Sequence, residues 1–176
     1  MKDIVRWGIV GAGGIARRRT IPAINEIPNA SIQAVMDTNT NGMIDLMKEY
    51  DIPDVYGNID DMLRNADIDA VYIASPVLFH KEQAIKILKA GKHLLIEKPL
   101  GINAAAAKDI MECAKQQNVC AGVAMVMRFH EGHQKIREMI RREELGDIVS
   151  CRGQLTCWFP PMDGNWRQNP AVSGGG

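Results

Sequence analysis

The chain has little that would tie it to a charged polymer or a bilayer. Lysine plus arginine and aspartate plus glutamate number 21 each, so the formal net charge is zero. A balanced chain has no long-range field to draw in nucleic acid or an anionic membrane, and it holds no basic run long enough to create one locally. No apolar run approaches the roughly 20 residues that a membrane-spanning helix needs. The opening MKDIVRWGIVGAGG sets Asp3 and Arg6 where a signal peptide requires unbroken apolar sequence. A cytoplasmic protein without nucleic-acid or membrane partners is therefore expected. The cysteines, Cys113, Cys120, Cys151 and Cys157, include no C-x-x-C pair. They read as plain thiols in a reducing compartment, and no metal site is expected. Internal repeats are absent.

What is there is an alternation. Strand-like segments at Ile4–Val10, Ser31–Asp37, Ala70–Ala74, His93–Ile96 and Val119–Met125 are separated by helix-like ones. A further short strand falls near Asp54–Tyr56. The helical segments are Gly14–Ile27 with a break near Pro22, Asn41–Tyr50, a short one from Asp60, Phe79–Lys89 closed by Ala90-Gly91, and an alanine-rich one capped by Asn103. Strands that read as continuous apolar runs between helices predict an α/β fold with a doubly wound parallel sheet of the Rossmann type. The rhythm changes after residue 125. A charged helix, about Gly132–Glu144, leads to a long strand candidate, Ile148–Trp158, and then to loop. The expectation is a dinucleotide-binding domain over 1–125 and the incomplete start of an α+β substrate or oligomerisation domain over 126–176.

The first motif is Gly11-Ala12-Gly13-Gly14-Ile15-Ala16, which fits G-x-G-x-x-G/A. The first glycine permits a tight turn, the second lets a pyrophosphate approach the backbone, and the small third residue lets helix and strand pack closely. The helix N-terminus beyond offers free N–H groups to phosphate oxygens. Such turns also arise for steric reasons alone. Here the turn follows an apolar strand and precedes a helical pattern, and Asp37 ends the second strand about twenty residues on, where a carboxylate can hold a ribose diol. Asp37 would repel a 2′-phosphate, and Thr38, Asn39 and Thr40 bring no arginine. NAD is therefore preferred over NADP, although Asp37 could also be only a turn residue.

The second motif is Glu97-Lys98-Pro99, at the end of the strand His93–Ile96. Ligands of an open parallel sheet bind beyond the carboxyl ends of its strands, so these residues stand on the rim with Ser75 and Pro76. Pro99 restricts the backbone before it and so aims Lys98. Lys98 can donate to a nicotinamide ribose or a substrate oxygen, and can take part in proton transfer. A surface ion pair between Glu97 and Lys98 is the plainer alternative, made awkward because adjacent strand residues point to opposite faces. Arg128 and His130, after the last sheet strand, are weaker candidates for facing a substrate.

With GAGGIA, ASPVLFH (74–80), AGKHLLIEKPLG (90–101) and the closing WRQNPAVSGGG, the sequence resembles the Gfo/Idh/MocA oxidoreductases, the glucose-fructose oxidoreductase and inositol dehydrogenase group. The resemblance covers essentially the whole chain. It implies a hydride transfer between a nicotinamide cofactor and a sugar, cyclitol or related polyol, with Lys98 touching cofactor and substrate. It also implies that Ser75, Pro76, His80 and Glu97 lie near the cofactor, joined by Trp166 and Arg167. Two departures stand out. Val77 replaces the asparagine usual after the proline of the first segment. The family's catalytic D-x-x-x-H motif would follow the triple glycine, beyond Gly176. The alternative reading is accordingly a non-catalytic NAD-binding sensor, regulator or interaction protein of the same family. A lone strand at 148–158 would be disordered, pair with another copy and so make a homo-oligomer, or continue into further chain.

Overall fold

A computed structural model describes residues 4–174. Its centre is a six-stranded sheet of β1 (Val5–Val10), β2 (Ala30–Met36), β3 (Asp54–Tyr56), β4 (Ala70–Ile73), β5 (His93–Ile96) and β6 (Ala121–Val123). The order across the sheet is β3-β2-β1-β4-β5-β6, and every pair is parallel. The chain starts in the middle, winds outward to β3, then returns to β4 and winds the other way. The reversal falls between β1 and β4. A crevice opens at such a reversal because the connections leave the two neighbouring strands toward opposite faces.

Period-two alternation explains how both faces are closed. On β4, Val71 and Ile73 join one core cluster while Tyr72 joins the other. The first cluster packs under α3 (Ile59–Asn65), α4 (His80–Lys89) and α5 (Ala104–Gln117), through Met62, Ala84, Ile87, Leu88 and Ile110. The second packs under α1 (Ile21–Asn25) and α2 (Ile44–Glu49), through Ile21, Ile24 and Leu46. A strand buried on both sides has no solvent face to colour polar, which is why AVYIA reads as an unbroken apolar run.

The helix boundaries follow local chemistry. Asn58 and Asn103 accept the Asp61 and Ala106 N–H groups, each at 2.9 Å, and so open α3 and α5. Gly91, at φ +71°, closes α4 in the left-handed region. The break expected near Pro22 is a wide turn, Ala16–Thr20, that hands over to α1 with the proline in its first turn. Proline has no N–H to continue an i→i−4 ladder, and widening the preceding turn relieves its ring of the carbonyl four residues back.

Two compact units make up the chain. The described residues up to Ala124, with those from Asn165 on, form the sheet unit; the sequence pattern had grouped 126–176 together. The other unit, Met125–Gly164, contains a short turn at Val126–Phe129 and α6 (Glu131–Arg141). The long strand expected at Ile148–Trp158 does not form: no ladder involves these residues. Alternating apolar sequence makes a strand only where a neighbour takes its N–H and C=O groups. Val149 and Leu155 are 95% and 91% exposed.

One part-buried polar pair ties β4 to the residues that follow β5. The Tyr72 hydroxyl donates to Glu97 Oε1 at 2.8 Å, and the Lys98 N–H donates to Glu97 Oε2 at 3.2 Å. Burial pushes the Tyr72 phenol well above its ordinary range; a contact with Thr20 opposes the rise, and the neighbouring Glu97 carboxylate adds to it. A phenol held neutral in the folded state favours folding fully below about pH 10 and loses that contribution as pH climbs toward the folded value. Tyr72→Phe should therefore flatten the fall in unfolding free energy above about pH 10, read by urea denaturation across alkaline pH. An unchanged alkaline slope would contradict the assignment.

Candidate functional site

The site is built on the edge where β2, β1, β4 and β5 end. Successive exits are laced by backbone bonds: Gly11 N–H to Met36 O at 2.9 Å, Ala74 N–H to Val10 O at 2.8 Å and Glu97 N–H to Ile73 O at 2.9 Å. Gly11 turns the chain at φ +78°. A Cβ there would lie 2.7 Å from the Ser75 backbone nitrogen, so only glycine lets the β1 turn pass the β4 exit.

Beyond Gly11 the turn opens outward. A Cβ on Gly13 would meet only Asp37 Oδ2, at 4.0 Å, and one on Gly14 would meet nothing within 4 Å. Asp37 is half-buried. Its Oδ1 accepts the Asn39 N–H at 3.0 Å, which fixes the carboxylate at the start of the following loop. The glycine turn and the acid, far apart in sequence, therefore face each other.

A cavity of about 460 Å³ occupies this ground. That is within the roughly 300–1,000 Å³ of small-molecule sites. Its wall includes Gly11, Gly13, Gly14 and Ile15 from the turn, and Met36, Asp37 and Thr38 from the β2 exit. Ala74, Ser75 and Pro76 line it from the β4 exit, and Phe79 and Gln83 from the helix beyond. Trp166 and Arg167 complete it. The last two come from a short turn, Trp166–Gln168, followed by α7 (Pro170–Ser173), which packs on the 77–79 turn. The Arg167 guanidinium carbon stands 4.6 Å from the centre of the Trp166 ring. Asp37 and Arg167 are the charged residues of the wall, one of each sign.

Nine of the residues singled out from sequence thus meet at one cavity: Gly11, Gly13, Gly14, Ile15, Asp37, Ser75, Pro76, Trp166 and Arg167. Three do not line it. His80 is 1% exposed, and its Nδ1 and Nε2 each lie 2.9 Å from a carbonyl oxygen, of Pro99 and Ser75 respectively. It is covered between the two loops and does not itself line the cavity. Glu97 turns back to Tyr72. Lys98 is exposed, one strand further along the edge, after β5. His130 accepts the Gly132 N–H and caps α6.

Sequence reasoning did not single out Met36, Thr38, Ala74, Phe79 and Gln83. Phe79, the residue before α4, and Gln83 in its first turn are four apart, the spacing that puts two side chains on one helix face. Tyr72 was also missed as the partner of Glu97, because a tyrosine inside an apolar strand reads as core. No helix among the described residues is long and apolar enough to cross a membrane.

Residues 5–125 match the family model described as an oxidoreductase family with an NAD-binding Rossmann fold, and 133–176 match a GFO/IDH/MocA C-terminal domain. Over its full length the chain is 31% identical to an oxidoreductase of Formosa agariphila, covering 56% of that protein. It is 29% identical to the 1,5-anhydro-D-fructose reductase of Ensifer adhaerens, over 97% of this chain and 51% of the relative. Among solved structures, scyllo-inositol dehydrogenase from Lactobacillus casei, with bound NAD(H) and scyllo-inositol, superposes with a TM-score of 0.79. The identity there is 30%, over 83% of this chain and 43% of that one. The chain spans about half the length of these curated relatives. The glycine turn, the six parallel strands in this order and these matches lead to one conclusion: the chain belongs to the GFO/IDH/MocA oxidoreductase family.

Proposed function

We propose that the cavity holds the ADP-ribose part of NAD, and that the whole protein moves a hydride between NAD and a secondary alcohol or carbonyl of a sugar, cyclitol or related polyol. The observation that carries this reading is the Asp37 carboxylate facing an open glycine turn, its Oδ2 4.0 Å from where a Gly13 Cβ would lie. That is a cradle which a side chain would fill and a backbone-hugging phosphate chain suits. Bound nicotinamide supplies the hydride acceptor or donor. The residues supply the rest. Glycine-turn N–H groups meet the pyrophosphate, and Arg167 balances its charge across the cavity. Asp37 accepts from the ribose diol and disfavours a 2′-phosphate, which supports NAD over NADP.

Lys98 sits beyond this cavity on the same strand-end edge, where the nicotinamide half of an extended dinucleotide would run. Its N–H is fixed through Glu97 and Tyr72. From there its ammonium can donate to a substrate oxygen and carry the proton that accompanies hydride transfer. The relatives whose names state a chemistry, an anhydrofructose reductase and an inositol dehydrogenase, support a polyhydroxylated substrate.

A fluorescence titration of the 176-residue chain with NADH, beside NADPH, tests the cofactor reading. Saturable NADH binding is expected, tighter than for NADPH. Asp37→Ala should weaken it about 10- to 100-fold, the worth of a charged hydrogen bond. Equal binding of both nucleotides by chain and variant would refute the role of Asp37. Lys98→Ala separates holding from chemistry. In the whole protein, NADH affinity should stay within about threefold, while NADH formation on a polyol panel falls about 100-fold or more. A loss confined to binding would make Lys98 a cofactor ligand instead.

A further inference from the structure

The helix after β4 brings one side-chain amide to the cavity wall. Gln83 is half-buried on α4, one turn past Phe79, and both line the cavity. Its Oε1 accepts the Ser75 hydroxyl at 2.5 Å. This bond sets the direction of the whole amide, because a planar carboxamide whose oxygen is engaged has its NH₂ held on the other side. The Gln83 nitrogen makes no hydrogen bond among the described residues, and because no buried side-chain nitrogen there lacks a partner, it keeps accessible surface. Val77, the residue after Pro76, is 2% exposed and turned into the core, so it brings no polar group to the wall. Ser75 itself lies against the Gly11 turn, its backbone nitrogen 2.7 Å from where a Gly11 Cβ would be. The amide is thus anchored to the backbone that turns beside the glycine loop, on a rigid helix.

Resting on the dinucleotide reading above, we propose that Gln83 is a specificity-determining residue for the bound nucleotide, its amide N–H donating to a ribose or phosphate oxygen of the ADP-ribose half. Two features favour that half over the nicotinamide. The cavity that Gln83 lines is bounded by the β2, β1 and β4 exits, with Asp37 on one flank. Lys98, after β5, is outside it. The oxygens of this half are acceptors, and an NH₂ group offers them donors. Ser75 then acts as the brace that points the amide, and its hydroxyl is satisfied without the ligand.

Two substitutions separate donation from bracing. Gln83→Glu keeps an oxygen for the Ser75 hydroxyl but replaces the donor with a carboxylate. Gln83→Leu removes both. Wild-type chain and both variants are titrated with NADH and with ADP-ribose, and thermal unfolding is followed in parallel. The proposal expects Gln83→Leu to bind both ligands about 10-fold more weakly, the worth of one hydrogen bond to a charged or strongly polar group. Gln83→Glu should bind more weakly still, because an anion then faces phosphate, while unfolding at the wild-type temperature. Wild-type affinity in a folded Gln83→Glu chain would overturn it, leaving Gln83 only the role of holding Ser75. A loss seen with NADH but not with ADP-ribose would also overturn it, by moving the contact to the nicotinamide half. Failure of the wild-type chain to bind either ligand would instead sink the dinucleotide reading of the cavity itself.

Discussion

Two backbones pass each other at Gly11 with no room for a side chain between them. The β1 turn runs against the nitrogen of Ser75, and everything that makes the cavity follows from that approach. It brings the exits of β1 and β4 to one level, so that the outward loops diverge from a common point. It aims Gly13 and Gly14 into open space on one side and sets Ser75 beside Gln83 on the other. A larger residue would need a different backbone as well as more volume, since the left-handed φ is itself unfavourable to any residue with a Cβ. Strand register then does the remaining positioning, because parallel pairing carries β2 and β5 to the same edge.

The sheet was legible because its signals are local. Apolar runs, asparagine caps and a glycine stop each report on a few neighbouring residues, and these agree with one another along 5–125. The carboxylate at Asp37 was legible for a related reason: strand length and loop length fix its distance from the glycine turn. His80 and Tyr72 were not. Both are polar groups whose partners lie on other strands or loops, Pro99 and Ser75 for the one and Glu97 for the other. Nothing in sequence spacing says that a histidine near a rim will be covered, or that a core tyrosine will reach past its strand end. The strand expected at 148–158 fails for the converse reason. Its local signal is strong, but a strand is a pairwise object and the described residues offer it no neighbour.

Glu97 shows how a motif residue can hold the structure around it. An acidic residue after a buried strand looks like half of an ion pair with its neighbour. In the structure the carboxylate bends back under the sheet edge to Tyr72, and its second oxygen takes the Lys98 N–H. The side chain of Lys98 is thereby left outward, with its backbone held. A paired ammonium would have been a poorer donor to anything arriving at the rim.

The wall formed by Trp166 and Arg167 comes from the far end of the chain, and Gly174 beyond it seats against Ile102. Its neighbours in the cavity, the glycine turn above all, were laid down near the start. Contacts of such wide sequence separation carry the largest loop-closure cost and form after local ones. The sheet should thus be assembled while the cavity is still open on that side.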